Sequence, residues 1–220
     1  MLRNISHIIS IVFHPLWMVI FGLLIILAVN PYQFSLADAR TQNVFILTSI
    51  FITVGFPLLS ILMMKKLNLI SSLEMETQSD RIGPLIITGL FYLWYFVNIK
   101  GNSGIPVAAS AFILGAIIAL FTALFLNSFT KISLHTTAAG GFLAAMYIIR
   151  YHYSYDSFPV EMASHYFRIN ADLLVVSAIV IVGIVAAVRL KLNAHTTSQI
   201  YLGLFVGIVS QWIAYLIMKQ

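Results

Sequence analysis

Seven long apolar runs dominate this chain and limit what it can fold into. They cover about residues 5–29, 42–64, 83–99, 105–127, 133–149, 171–190 and 198–218, with polar segments between them. A helix crosses a bilayer core with about 20 apolar residues, so each run is close to a spanning length. Inside lipid every backbone group must be hydrogen-bonded within the protein, which makes helices the form that such runs take. We therefore predict an all-α integral membrane protein, a bundle of about seven transmembrane helices.

The composition supports this class and excludes others. Of the 220 residues, 60% are hydrophobic and only 9% are charged, a balance that soluble globular proteins do not have. The net charge of +5 suits anionic lipid headgroups, whereas no basic run is long enough to indicate a nucleic-acid partner. Cysteine is absent, so disulfides and thiol chemistry are excluded. Membrane lipids are the partners that this composition predicts.

The polar gap between the last two runs carries the most informative residues. Arg189 is predicted to end one helix, and His195 and Gln199 to open the next. Their four-residue spacing places the imidazole and the amide on one helix face, where they can form a hydrogen bond. A guanidinium beside a helix N-terminus is a natural anion site, because fixed charge and unpaired N–H groups point at the same place.

This spacing resembles the third signature of the type 2 phosphatidic acid phosphatase and vanadium haloperoxidase superfamily, S-R-x5-H-x3-D. The second signature, P-S-G-H, aligns with residues 132–135 and keeps Ser133 and His135. The first, K-x6-R-P, aligns with residues 74–82 and keeps Arg81. The resemblance implies a phosphatase-like core over about residues 65–220. The remaining residues, 1–64, are then extra N-terminal helices of the same single domain, 1–220.

The resemblance also implies roles for these residues. His195 would attack phosphorus and form a phosphohistidine, and His135 would protonate the leaving alkoxide. Arg81, Ser133 and Arg189 would hold the phosphate oxygens. The reaction needs no metal and no cofactor. It would make the protein a membrane-embedded lipid phosphate phosphatase, acting on phosphatidic acid-like or polyprenyl (pyro)phosphate substrates.

Three departures from the signatures keep other functions open. Glu74 stands where the family has Lys, Leu134 where it has Gly, and Gln199 where it has Asp. An amide oxygen can fix the tautomer of His195 but supplies no charge to stabilise its cation. One alternative is therefore a catalytically impaired relative that binds or transports a phospholipid or isoprenoid phosphate. Another is a purely structural membrane subunit with two histidines at the membrane boundary.

The number of crossings predicts that the candidate residues share one membrane face. Two crossings separate Arg81 from Ser133, and two more separate His135 from Arg189. That face carries seven basic residues against five opposite, or five against five once Arg81 and Arg189 are set aside. The charges therefore do not decide the orientation. By resemblance alone, we expect a bacterial inner-membrane protein with its site facing the periplasm.

Two further segments are given structural interpretations. We predict that His14-Pro15 kinks the first run and that His14 packs inside the bundle. The aromatic residues of the loop from Arg150 to Asn170 are predicted to form a belt in the membrane interface. Within this loop, Glu161 and His165 have the spacing of metal ligands on a helix, but two ligands without a third predict no metal site.

Overall fold

The computed structural model describes residues 2–29, 34, 39–75, 77–162 and 165–219. For Leu2, Arg3, Ala39, Glu161, Met162, His165 and Tyr166 it describes the backbone alone. Most of these residues are helical. In chain order the helices are α1 (Leu2–Val12), α2 (Pro15–Val29), α3 (Ala39–Ile50), α4 (Phe56–Lys66), α5 (Gln78–Ile99), α6 (Val107–Asn127), α7 (Leu134–Ile148), α8 (Asp172–Lys191) and α9 (Thr197–Met218).

Five helical segments in the described ranges are long and apolar enough to cross a membrane. They are Arg40–Lys66, in which a π-helical turn joins α3 to α4, and the helices α5, α6, α8 and α9. The bent pair α1–α2 gives a sixth if it is counted as one span. Of the seven predicted runs, the fifth is not among these segments. Its helix α7 has 15 residues and is continued by a π-helical turn over Ile149–Tyr153, which carries Arg150 and His152.

The first run is broken where the sequence predicts a kink. Helices α1 and α2 differ in direction by 51°, and Pro15 is the first residue of α2. His14 lies in the break, where its Nδ1 accepts a 3.4 Å hydrogen bond from the amide of Leu16. Proline has no N–H to continue the preceding helix but suits the first turn of a new one.

Helix α1 turns its polar side toward the protein. Ser6 is buried and Ser10 is half-buried, whereas Ile5, Ile8 and Val12 are exposed. This polarity is the reverse of that of a helix on a water-soluble protein, which exposes its polar face. It fits a helix whose outer face meets lipid and whose inner face meets polar groups.

Glycines bring the first turns of α7 and α9 together. A side chain at Gly203 would lie 2.7 Å from the carbonyl oxygen of Ser133. One at Gly207 would lie 2.6 Å from the amide of Gly141 and would collide with the carbonyl of Thr137. Small residues four apart allow this close approach of helix backbones, as they do between membrane helices generally. The N-termini of α7 and α9 therefore lie side by side.

The described chain is mostly helical, as predicted, but the predicted aromatic loop contains a β-hairpin. Strands β1 (Ser157–Met162) and β2 (His165–Asn170) pair in antiparallel fashion. Glu161 and His165 thus lie on strands, which removes the helical spacing behind their metal-ligand interpretation; their side chains lie outside the described part. Phe158 is buried and therefore does not belong to an interfacial belt, whereas Tyr155 is exposed and its place in such a belt stays a prediction.

Candidate functional site

A cavity of about 170 Å³ lies at the end of the bundle where α5, α7 and α9 begin and α8 ends. Four of the six site residues predicted from the sequence line it: Arg81, His135, Arg189 and His195. His14, from the break between α1 and α2, lines it as well. Three helix N-termini thus contribute positive potential at the same place as two guanidiniums.

Arg81 lies in the first turn of α5, where the sequence had predicted a loop. Thr77 caps the helix by accepting a 3.2 Å hydrogen bond from the amide of Asp80, so α5 begins five residues before the predicted run. The Arg81 side chain is 5% exposed. Its Nε donates to the Met75 carbonyl at 2.9 Å and its Nη1 to the Ile132 carbonyl at 2.7 Å. Arg81 therefore joins two loops that border the cavity and keeps further N–H groups for a ligand.

Arg189 lies in the last turn of α8, and only part of its guanidinium is hydrogen-bonded within the described residues. Its Nη1 donates to the Ser10 hydroxyl at 2.9 Å. Its Nε is buried and has no hydrogen-bond partner among the described residues. A buried donor left unpaired costs about 1–3 kcal/mol, more when it is charged. An anion in the cavity would supply the missing acceptor.

His195 is held in one tautomer by Gln199. The imidazole Nδ1 lies 3.0 Å from the amide oxygen Oε1 of Gln199, which also accepts from the backbone amide of Thr196 at 3.3 Å. This second contact belongs to a capping box that begins α9. An amide oxygen only accepts, so Nδ1 carries the hydrogen and Nε2 keeps its lone pair.

The electrostatic environment also keeps His195 neutral. Its side chain is 8% exposed, and burial lowers the pKa of His195 to about 4. The hydrogen bond that Nδ1 donates to Gln199 opposes this shift, whereas the charges of Arg81 and Arg189 add to it. At neutral pH the imidazole is therefore uncharged, the state in which a histidine can act as nucleophile or base.

His135 lies in the first turn of α7 and contacts the N-terminal helix. Its Nε2 lies 3.1 Å from the backbone carbonyl and 3.3 Å from the hydroxyl of Ser10. Because the carbonyl only accepts, Nε2 carries the hydrogen of the neutral ring. The ring of His14 stands edge-on to that of His135, with 5.4 Å between centroids.

Ser133 and Gln199 are placed behind the cavity. The hydroxyl of Ser133 caps α7 by accepting from the amide of Thr136 at 3.4 Å, and Ser133 is fully buried. Its backbone amide donates to the carbonyl of Gln199 at 3.4 Å, between the starts of α7 and α9. Neither residue is among those that line the cavity. The phosphate contact expected of Ser133 stays a prediction.

Sequence reasoning missed the contribution of the N-terminal helix. His14 was assigned to packing, and Ser10 was given no role, yet both lie against His135. Ser10 is 125 residues from His135 and 179 from Arg189, so no local spacing relates them. The available signal was the pair Ser6 and Ser10, four residues apart on a helix whose other face is isoleucine-rich. Glu74, recognised only as a departure from the family signature, also lines the cavity.

The chain matches no protein-family model, no curated protein and no solved structure. The resemblance to the phosphatase superfamily therefore rests on the short signatures alone.

Proposed function

We propose that this protein is a membrane-embedded lipid phosphate phosphatase that works through a phosphohistidine on His195. One observation carries the proposal: Arg81, His135, Arg189 and His195, from four separate helix ends, line one cavity. Phosphoryl transfer depends mainly on positioning and on stabilising charge, which guanidiniums and helix N-termini supply. The unpaired Nε of Arg189 is suited to a phosphate oxygen.

The reaction would proceed in two steps. In the first, the lone pair on Nε2 of His195 attacks phosphorus, and the bond from phosphorus to the alkoxide oxygen breaks. His135, protonated while the phosphate anion lies beside it, gives its proton to the departing alkoxide. In the second step, His135 takes a proton from water as that water attacks phosphorus. The phosphorus–nitrogen bond breaks, which releases inorganic phosphate and restores His195.

The substrate class follows from the rest of the cavity wall. Away from the histidines, the cavity runs between apolar side chains of α2, α5, α6 and α7. A polar end beside an apolar lining suits a phosphate on a lipid, with its head at the arginines and the first part of its chain inside the bundle. We place the protein in a bacterial inner membrane, with the site toward the periplasm.

Phosphate release by the detergent-solubilised protein tests this function. Phosphatidic acid and a polyprenyl pyrophosphate are the substrates to supply. We expect His195→Ala to abolish release, because no other group in the proposed reaction forms the bond to phosphorus. His7→Ala is the matched control, since His7 is exposed on α1 and does not line the cavity. Equal release by the wild type and His195→Ala would contradict the phosphohistidine mechanism.

Specific observations favour a second function, binding or transport of a lipid phosphate without hydrolysis. Gln199 offers His195 no negative charge, and Nε2 of His135 already faces the carbonyl of Ser10. Glu74 adds a carboxylate to the cavity wall. Saturable binding of a lipid phosphate, together with no phosphate release from any substrate, would support this function in place of the first.

A further inference from the structure

Two cavities lie in line inside the bundle, and the same two residues border both. The larger one, of about 170 Å³, begins at the arginines and histidines. The smaller one, of about 10 Å³, is lined by residues such as Ile149, Tyr153 and Tyr215, which belong to the opposite end of the bundle. Phe112 and Gln211 line both cavities. They form a partition between the two spaces.

The partition is fixed by specific packing. The amide Nε2 of Gln211 donates to the backbone carbonyl of Phe112 at 3.3 Å, which ties α9 to α6. Oε1 of Gln211 is buried and has no hydrogen-bond partner in the described part of the chain. It lies against Gly115, where any side chain would collide with it. The ring of Phe112 similarly lies against Gly22 of α2. Both glycines therefore make room for the side chains that separate the cavities.

The depth of the larger cavity can be estimated from the helices around it. On α6 the lining residues run from Phe112 to Ala123, about 16 Å along the helix axis at about 1.5 Å per residue. On α5 they run from Arg81 to Tyr92, about 16 Å by the same measure. One leaflet of a bilayer core is about 15 Å thick, half of the total. The cavity is thus about as deep as one leaflet, but its volume of about 170 Å³ is close to that of a cavity that holds one benzene ring, so it takes in only a short alkyl chain.

We propose that Phe112 and Gln211 determine the length of the lipid chain that the site accepts. This inference rests on the proposed lipid phosphate site and narrows its substrate class. A phosphate with a short alkyl chain fits with its head at Arg189 and its end at the partition. A much longer polyprenyl chain does not fit inside the bundle, and its phosphate reaches the arginines only if the chain's far part stays outside.

Binding of straight-chain alkyl monophosphates, which needs no turnover, tests this inference. A mixture of increasing chain lengths, at equal mole fractions in detergent, is offered to the protein, and native mass spectrometry reads which lengths are retained. For the wild type we expect a cut-off, with retention falling about tenfold once the chain presses on the partition, as in an overpacked core. Gln211→Ala and Phe112→Ala should each move the cut-off to longer chains, because the two cavities then join.

Three control variants separate the partition from general loosening of the bundle. Gln211→Met keeps a side chain of similar length and should keep the wild-type cut-off. Leu120→Ala enlarges only the larger cavity and Ile148→Ala only the smaller one, so neither should move it. A cut-off that is absent, or that is the same in Gln211→Ala and Phe112→Ala as in the wild type, would overturn the partition alone. Failure of every chain length to bind would overturn the proposed function together with the partition.

Discussion

Arg150 and Arg189 lie at opposite ends of the bundle and differ in how their charge is balanced. Arg150 follows the end of α7 and is paired twice: its Nε lies 2.5 Å from Oδ1 of Asp172, and its Nη2 lies 3.0 Å from Oδ1 of Asp156. Arg189, in the last turn of α8, lies at the other end of the bundle, where α7 begins. It donates to a serine hydroxyl and has no carboxylate within 4.0 Å among the described residues.

The difference indicates which arginine is complete without a ligand. Arg150 joins the start of the hairpin to the start of α8, and its charge is paired within the protein. Arg189 lies beside Arg81 and shares the cavity wall with the carboxylate of Glu74, whose charge offsets part of the repulsion. One of its donors is buried and has no acceptor among the described residues, which is unfavourable for a charged group. This unpaired donor, rather than burial itself, makes Arg189 a candidate for anion binding.

The largest expected effect is on anion binding at Arg189. Arg189→Lys keeps the positive charge but loses the planar fork of donors, so vanadate affinity should fall about ten- to hundredfold. The equivalent change at Arg150 should leave vanadate affinity unchanged, because that residue is paired elsewhere. Titration of both variants with vanadate in detergent measures the difference. If variants of Arg81 and Arg189 bind vanadate as the wild type does, these arginines hold no anion and only place helix ends at the membrane boundary.

The second expected effect concerns the charge that Gln199 does not supply. Gln199→Asp, or Gln199→Glu with the original side-chain length, places a carboxylate where the amide now accepts from Nδ1 of His195. The carboxylate should stabilise the cation that forms on attack and raise turnover, by about tenfold for each pKa unit gained. Gln199→Leu, which removes the acceptor, should lower turnover. A lower rate in both acidic variants would mean that the site is adapted to the amide.

Much of the fold could be predicted from the sequence, because long apolar runs admit little but helix. The described helices lie within a few residues of the predicted runs; the largest shift, at α5, comes from the cap on Thr77. The hairpin was missed although its signal was present. Phe158, Val160 and Met162 alternate with polar or small residues, the period expected of a strand. That alternation was read as an interfacial aromatic loop.

The candidate site was only partly predictable, for a different reason. The spacing of His195 and Gln199 gave their hydrogen bond correctly, but for another reason than predicted. His195 precedes the N-cap Thr196 rather than opening the helix, and Gln199 in the first turn of α9 accepts from it. The contacts of His135 and Arg189 with Ser10 depend on how α1 folds back across the bundle. Contacts between residues so far apart in sequence come from packing, which no motif encodes.

A smaller effect is expected in the pH dependence. Because burial holds the pKa of His195 at about 4, below its ordinary value of 6.5, the nucleophile stays unprotonated as the pH falls to that point. Protonation of His195 should therefore lower turnover only below about pH 4. In Gln199→Glu the nearby negative charge favours the imidazolium, so the acid limb of kcat/KM should move to higher pH. An acid limb at the same pH in both proteins would exclude His195 as its source.

The smallest effect is expected at the paired arginine itself. Asp172→Asn keeps a hydrogen-bond acceptor for Arg150 but removes half of the charge that balances it. Asp156 is almost fully exposed and Asp172 is half exposed, so solvent screens both pairs and Tm should fall only slightly. Vanadate affinity should be unchanged, since the cavity lies at the other end of the bundle.

A thermal melt with and without vanadate checks both points, because the stabilisation by the anion should be the same in the variant and the wild type. If Asp172→Asn weakened that stabilisation as much as Arg189→Lys does, the two ends would be coupled, and an unpaired donor would no longer distinguish a binding arginine from a structural one.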